Sequence, residues 1–260
     1  MTVQEFERTF ENAALIYDSI RPDYPDELFN DIFSLCSLSE KSKVLEIGMG
    51  SGKATKPFLD TKCELIGIEP GAGLANIAFE RFKRYSNFSS QLKTLQEYEC
   101  DSDTFDLIFS ATAFHWIPEE YGYIRVHKLL KCGGVFARFA YHAGRDTVHP
   151  GLADEIQKQY AKYLGGSGTK AEFSTIDAAK TANIALKYGF TDASHKIYYN
   201  PKNFTADEYM LLLKTYPDHM KLDAKLRTQL FDGIYSAINN HGGVITINYV
   251  VDLELAIKPK

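Results

Sequence analysis

The chain has 260 residues, of which 45% are apolar and 24% charged, enough to bury a substantial core with an ordinary polar surface. A formal charge of −5 argues against a broad nucleic-acid-binding face, which depends on a basic surface. The acidic amino terminus is unlike a secretory leader, no apolar run nears the roughly 18 residues of a membrane span, and Cys36, Cys63, Cys100 and Cys132 lack metal-ligand spacing, so the expectation is a cytoplasmic protein with reduced thiols.

Residues 3 to 17 place Phe6, Phe10, Ala14 and Tyr17 at helical spacings, the pattern of a short amphipathic helix. Pro22 and Pro25 then hold the backbone extended, and a helix is expected from Pro25 to Leu38. Val44 to Ile47 is apolar except for Glu46, as in a buried parallel strand. It runs into Gly48, Gly50 and Gly52, and a helical pattern follows. That order of strand, glycine loop and helix brings bare backbone N–H groups close to a ligand.

The loop's spacing narrows the choice of ligand. A dinucleotide loop reads G-x-G-x-x-G, its third glycine letting helix and strand pack closely. Here the spacing is G-x-G-x-G, and Lys53 stands where that third glycine belongs. Glu46, just before the loop, repels a pyrophosphate and suits a cation. S-adenosylmethionine (SAM) carries a sulfonium, an ammonium and one carboxylate, so Coulomb's law favours it over NAD. Cys63 to Ile68 reads as the next strand, and Glu69 at its end, before Pro70, can accept both ribose hydroxyls of a nucleoside.

A helix over Gly73 to Tyr85 and a strand over Phe88 to Leu95 come next. Phe105 to Ser110 is the fourth strand, and Ala111 to Ile117 lies at its carboxyl end, where open α/β sheets place ligands. Pro118 opens a helix from Glu119 to Lys131, which Gly133 and Gly134 are expected to end. Val135 to Tyr141 is a fifth strand leading into His142. Helices are then expected over 151–164, 176–188, 205–215 and 221–240, with a glycine-rich linker at 165–168, a short element at 197–199, and a partly alternating strand over 244–257.

VLEIGMGSG, then IGIEP, then FDLIFSATAFHWIP resembles the class I SAM-dependent methyltransferases, in particular the type 11 group, well over residues 15 to 140 and loosely beyond. The resemblance implies a Rossmann-like, doubly wound, mostly parallel seven-stranded sheet with an antiparallel C-terminal edge strand. It implies a single domain, with a SAM-binding core over about 40–142, helical lid insertions over about 143–240 and the final strand at 244–257. SAM is the implied cofactor. Its implied binding residues are Glu46, Gly48, Gly50, Ser51 and Gly52 of the loop, Glu69 and Pro70 after the second strand, Leu95, Gln96 and Glu97 beside the adenine, and Ser110 and Ala111 at the fourth strand. The R-P-x-Y-P string at 21–25 resembles a segment that crosses the cofactor pocket in relatives, so Tyr17, Arg21 and Tyr24 would cap SAM, Arg21 facing its carboxylate.

Methyl transfer from a sulfonium requires alignment and exclusion of water more than a catalytic group, and proximity of that kind supplies roughly 7–11 kcal/mol. Where a proton must leave, His115 is the candidate base, with an ordinary pKa near 6.5; its alternative role is to shape the pocket. Phe114, His115, Trp116, Tyr141 and His142 are the candidate substrate pocket, and the expected partner is a small-molecule methyl acceptor. Two other readings stay open: a nicotinamide-dependent oxidoreductase, and a SAM-binding regulator or scaffold without turnover.

Overall fold

The computed structural model describes residues 14–165 and 172–260. Its centre is one sheet in the order β3-β2-β1-β4-β5-β7-β6. The strands are β1 (Lys43–Ile47), β2 (Glu64–Ile68), β3 (Phe88–Gln91), β4 (Phe105–Ala111), β5 (Leu130–Gly144), β6 (Thr191–Thr205) and β7 (Val244–Ile257). The first five pair in parallel; β7 runs antiparallel to both β5 and β6. The seven-stranded, mostly parallel sheet is as expected. The antiparallel final strand, expected at the edge, lies one place inside it, because β6 pairs along its outer side.

Alternation along the strands sends side chains to both faces. On one face Val44, Leu65, Leu107 and Phe139 pack against α1 (Asp26–Leu35) and α2 (Thr55–Asp60), where the Phe58 ring stacks on Phe109 at 4.0 Å. On the other, Leu45, Ile47, Ile108 and Phe136 pack against α4 (Glu119–Leu129). Helix α3 (Ala72–Phe82) links β2 to β3, and Phe82 joins the first core. Asp26 and Glu27 open α1, where carboxylates complement the helix dipole.

A third core stands apart from these two. Helices α5 (Leu152–Leu164), α7 (Ala206–Lys214) and α8 (Ala224–Asn240) bury Leu152, Leu212, Leu230 and Ile234 against Ile245, Ile247 and Tyr249 at the start of β7. Helix α6 (Thr175–Ala182) packs instead beside β6 and β7. The segment expected to be a helical insertion therefore also supplies the long edge strand β6. Of the amino-terminal helix expected over 3–17, residues 14–17 are helical, in a turn that runs on to 20, and 3–13 lies outside the described residues, as does most of the expected linker at 165–168.

Candidate active site

β1 ends in a loop that only glycine tolerates well. Gly48, Gly50 and Gly52 all have positive φ, at 69°, 56° and 84°, a region L-residues enter at a cost. A Cβ on Gly48 would lie 2.4 Å from the Cβ of Ala113, so β1's loop presses against the segment after β4. A Cβ on Gly50 would meet nothing within 4 Å, because its outer side is open space. That space is a cavity of about 720 Å³ at the carboxyl ends of the parallel strands, lined by Gly48, Gly50 and Ser51 and running on to Glu69, Leu95, His115 and Tyr141.

Glu69 anchors the loop as well as facing the cavity. Its two carboxylate oxygens accept the Gly50 N–H at 3.0 Å and the Gly71 N–H at 2.8 Å. Burial raises its pKa, and the bonds from Gly71 and Gly50 oppose that rise. Each oxygen keeps a lone pair for a further donor. Pro70, Leu95, Gln96 and Ala111 line the same cavity. Ile68, Leu74 and Leu95 make its far end apolar, and the Ser51 hydroxyl is buried without a partner on its wall. An open glycine face, an acid at the end of β2, an apolar slot and an orphaned hydroxyl fit a nucleoside carrying polar substituents.

Six of the expected site residues lie off this wall. Glu46 is fully buried beneath the loop, where the Thr55 hydroxyl donates to its Oε2 at 2.6 Å and Oε1 has no partner. Burial pushes its pKa up to about 8, against the Thr55 bond and with the Glu69 charge adding to the rise. Gly52 turns to α3, where a Cβ would lie 2.4 Å from the Phe82 ring. Glu97 accepts from the Thr94 N–H and hydroxyl, each at 2.9 Å. Ser110 donates to the Ile47 carbonyl at 2.8 Å, tying β4 to β1. Phe114 is buried in the second core against Tyr123 and Phe136. His142 points to the opposite sheet face from Tyr141, bonded through Nε2 to Asp252 at 3.0 Å and stacked on Phe173 at 3.5 Å.

His115 and Trp116 form a single helical turn after β4 and border the cavity, their rings 4.9 Å apart. Burial, then the charges of Arg138 and His142, lower the His115 pKa and keep the imidazole neutral. Tyr24, with Tyr17 and Arg21, roofs the cavity. Its ring stacks on Tyr141 at 4.8 Å and its hydroxyl meets the Thr112 hydroxyl at 2.6 Å. Thr112 holds this position at φ +54°, a strained conformation for a β-branched residue.

Thr112 falls within the Ala111 to Ile117 stretch expected at the ligand, and Tyr216 within the expected lid; sequence reasoning missed Thr215 and Tyr249, and all four are on the cavity wall. Tyr249 arrives because β7 runs antiparallel, pairing with Ala143 at the carboxyl end of β5. Thr215 and Tyr216 follow α7 directly. Within 143–240 these two are the only described residues on the cavity wall; α5, α6 and α8 supply none. The order of strands and the reversal of β7 were the only signals that could have found Tyr249.

Residues 44–134 match the family model described as a methyltransferase domain. An uncharacterised methyltransferase of Schizosaccharomyces pombe is 22% identical over 86% of this chain and 84% of its own length. A candidate S-adenosylmethionine-dependent methyltransferase of Saccharomyces cerevisiae is 30% identical over 60% of this chain and 53% of its own length. Among solved structures, a candidate type II methyltransferase of Anaeromyxobacter dehalogenans superposes with a TM-score of 0.65 at 16% identity, covering 92% of this chain and 98% of that one. The match over 44–134 and the superposition show a methyltransferase-like fold, built on this sheet order and glycine loop. No helix among the described residues is long and apolar enough to cross a membrane.

Proposed function

We propose that the protein transfers a methyl group from SAM to a small-molecule acceptor by in-line displacement. The observation that carries this is the continuity of one cavity from the open face of Gly50 and the Glu69 carboxylate to His115 and Tyr141. Gly48, Gly50 and Ser51 offer backbone groups to the cofactor's amino-acid part, Glu69 takes the ribose hydroxyls, and Leu95 and Gln96 border the adenine. When bound, SAM supplies an activated methyl: the acceptor's lone pair forms the new bond to carbon as the carbon–sulfur bond breaks and its electrons stay on sulfur, leaving S-adenosylhomocysteine (SAH).

Tyr17 and Tyr24 roof the site and exclude water. An anionic acceptor atom needs no base. For a neutral hydroxyl or amine, His115 is neutral and at the rim, placed to take the proton. Beneath the loop, Glu46 acts through the loop's shape and through its charge when ionised, not by contact.

Calorimetric titration with SAM, SAH and NAD separately tests the assignment. Micromolar binding of SAM and SAH and none of NAD is expected; binding of NAD alone would overturn it. Glu69→Ala should weaken SAM binding roughly ten- to a hundredfold, the loss of charged hydrogen bonds of about 1.5–3 kcal/mol. His115→Ala should keep SAM affinity and lower turnover; unchanged turnover would leave His115 a wall of the pocket.

A further inference from the structure

Formal charge is unevenly spread over the cavity wall. Among the described residues Arg21, Lys53, Glu69 and Lys93 carry it. Lys53 follows the glycine loop, Glu69 follows β2 and Lys93 follows β3, so these three lie on the β1–β2–β3 side of the sheet order. Arg21 belongs to a strap at 17–25 that is tied to the same side. Asp18 accepts from Arg81 at 2.6 Å, and Arg81 donates on to the Ser51 carbonyl at 2.9 Å. Asp23 pairs with Lys53 at 2.9 Å. The strap thus brings its cation to the glycine loop, where the carboxylate of SAM answers it.

The β4–β5–β7 side of the wall is built differently. Thr112, His115 and Trp116 follow β4, Tyr141 lies in β5 and Tyr249 in β7, and these side chains carry no formal charge at neutral pH. Their hydroxyls are largely spent within the protein. Tyr24 meets Thr112 at 2.6 Å, Tyr141 donates to the Asp23 carbonyl, and Asn200 donates to the Tyr141 hydroxyl at 3.1 Å. What is left for a ligand is mostly ring surface. An ion entering such a chamber loses its hydration and gains no counter-charge, whereas a flat ring gains contact. At the mouth stands the chain's only tryptophan, Trp116, 68% exposed and 4.9 Å from the His115 ring. Tryptophan is on average a highly buried residue. An indole left this open beside an aromatic chamber is suited to cover the outer edge of a flat ligand.

We propose that the methyl acceptor is an uncharged phenol, its ring in the chamber bounded by Tyr141 and Tyr249, its outer edge under Trp116 and its hydroxyl turned to His115. This rests on the methyl-transfer reading and names its substrate class. Charge chooses among the acceptors that need a base. A phenol, with a pKa of about 10, enters neutral; an alkylamine, at about 10.4 like lysine, enters charged. As the phenol oxygen bonds to the methyl carbon, the carbon–sulfur bond breaks with its electrons on sulfur, and the hydroxyl proton passes to His115. The products are an aryl methyl ether and SAH, and His115 returns the proton to solvent.

The test uses the full chain loaded with SAH, titrated calorimetrically with para-ethylphenol, para-ethylbenzoate and para-ethylbenzylamine, ligands of similar shape and different charge. The phenol should bind on the order of tenfold tighter than either ion. Its binding should also shield Trp116 from acrylamide quenching, read at the red edge of tryptophan absorption, where simple phenols are transparent. Trp116→Ala should weaken the phenol about fivefold and leave SAH affinity within about twofold of the original. Equal or tighter binding of the anion or the cation would overturn the proposal. So would binding of none of the three to a protein that holds SAH; neither result needs a variant, and both leave the methyl-transfer reading standing. Phenol binding with Trp116 quenched as before would overturn it too, by putting the acceptor away from the mouth. Failure of SAH itself to bind would instead strike the methyl-transfer reading, and the substrate class with it.

Discussion

At Glu46 the sequence pattern and the local environment pull in different directions. An acid before the glycine loop reads as a counter-charge to a cationic ligand, yet its side chain is buried beneath the loop with one oxygen unpartnered. Its pKa near 8 is mainly a desolvation effect. Glu254, beside Arg138 and Asp252, is likewise pushed up to about 8 by burial. An acid whose folded pKa exceeds its unfolded value keeps a proton that the unfolded chain has lost. Stability therefore falls as pH rises from about 4.5 to about 8, by at most about 1.4 kcal/mol per pH unit for each group. Glu46→Gln should flatten this decline, gaining most over the original at pH 8 and little at pH 5. Urea unfolding at pH 5, 6.5 and 8 measures it; parallel declines in the two proteins would mean that Glu46 is not a source of the slope. The alternation of the glycines was legible in the chain. The depth of Glu46 was not, because it depends on Thr55 and on how far the loop folds over β1.

Among the elements, β1, β2 and β4 were legible because buried parallel strands are short apolar runs, and α7 follows its Thr205–Glu208 capping box. β6 was legible at only three of its fifteen positions. Its residues are largely polar and include Pro201, which argues against a central strand; as the sheet edge, β6 escapes that restriction. Gly133 and Gly134 likewise read as a helix terminus but lie within β5, whose pairing with β4 resumes at Val135 after an irregularity. The edge strand is tied down from α1: Asp31 accepts from Lys196 and from the Tyr198 hydroxyl, each at 2.5 Å. Partial burial raises the Asp31 pKa, but the two bonds and the Lys196 charge outweigh it and the net shift is downward. This contribution is present above the unfolded pKa and is lost as pH falls through the folded one. Asp31→Asn should cost less than about 1 kcal/mol at pH 7, the scale of an exposed pair, with the difference shrinking toward pH 3. Hydrogen exchange should quicken in β6 and hardly at all in β1; uniform quickening would contradict the tie.

At the scale of the molecule, the cavity lies where separately built parts meet. The parallel half of the sheet supplies the glycine loop and Glu69. The third core, assembled from α5, α7, α8 and the start of β7, brings Tyr216 and Tyr249. The strap at 17–25 crosses between them, with Tyr24 stacked on Tyr141 and Arg21 over Tyr216. A ligand lying against all three is linked to the stability of each, since whatever binds only the folded state stabilises it by RT ln(1 + [L]/Kd), about 2.7 kcal/mol at a hundredfold excess over Kd. For a chain of this size that corresponds to a rise in Tm of roughly 5–10 °C. SAH at that excess should produce such a shift. It should also slow hydrogen exchange at 48–52 and 69–71, and across the strap and 215–216 as well. Protection confined to the loop and Glu69 would mean that the third core closes over the acceptor alone, and the strap would then be a wall of the acceptor's chamber instead of a cofactor cap. Protection in all three parts would make cofactor binding the event that assembles the acceptor's chamber, with SAM entering before the acceptor.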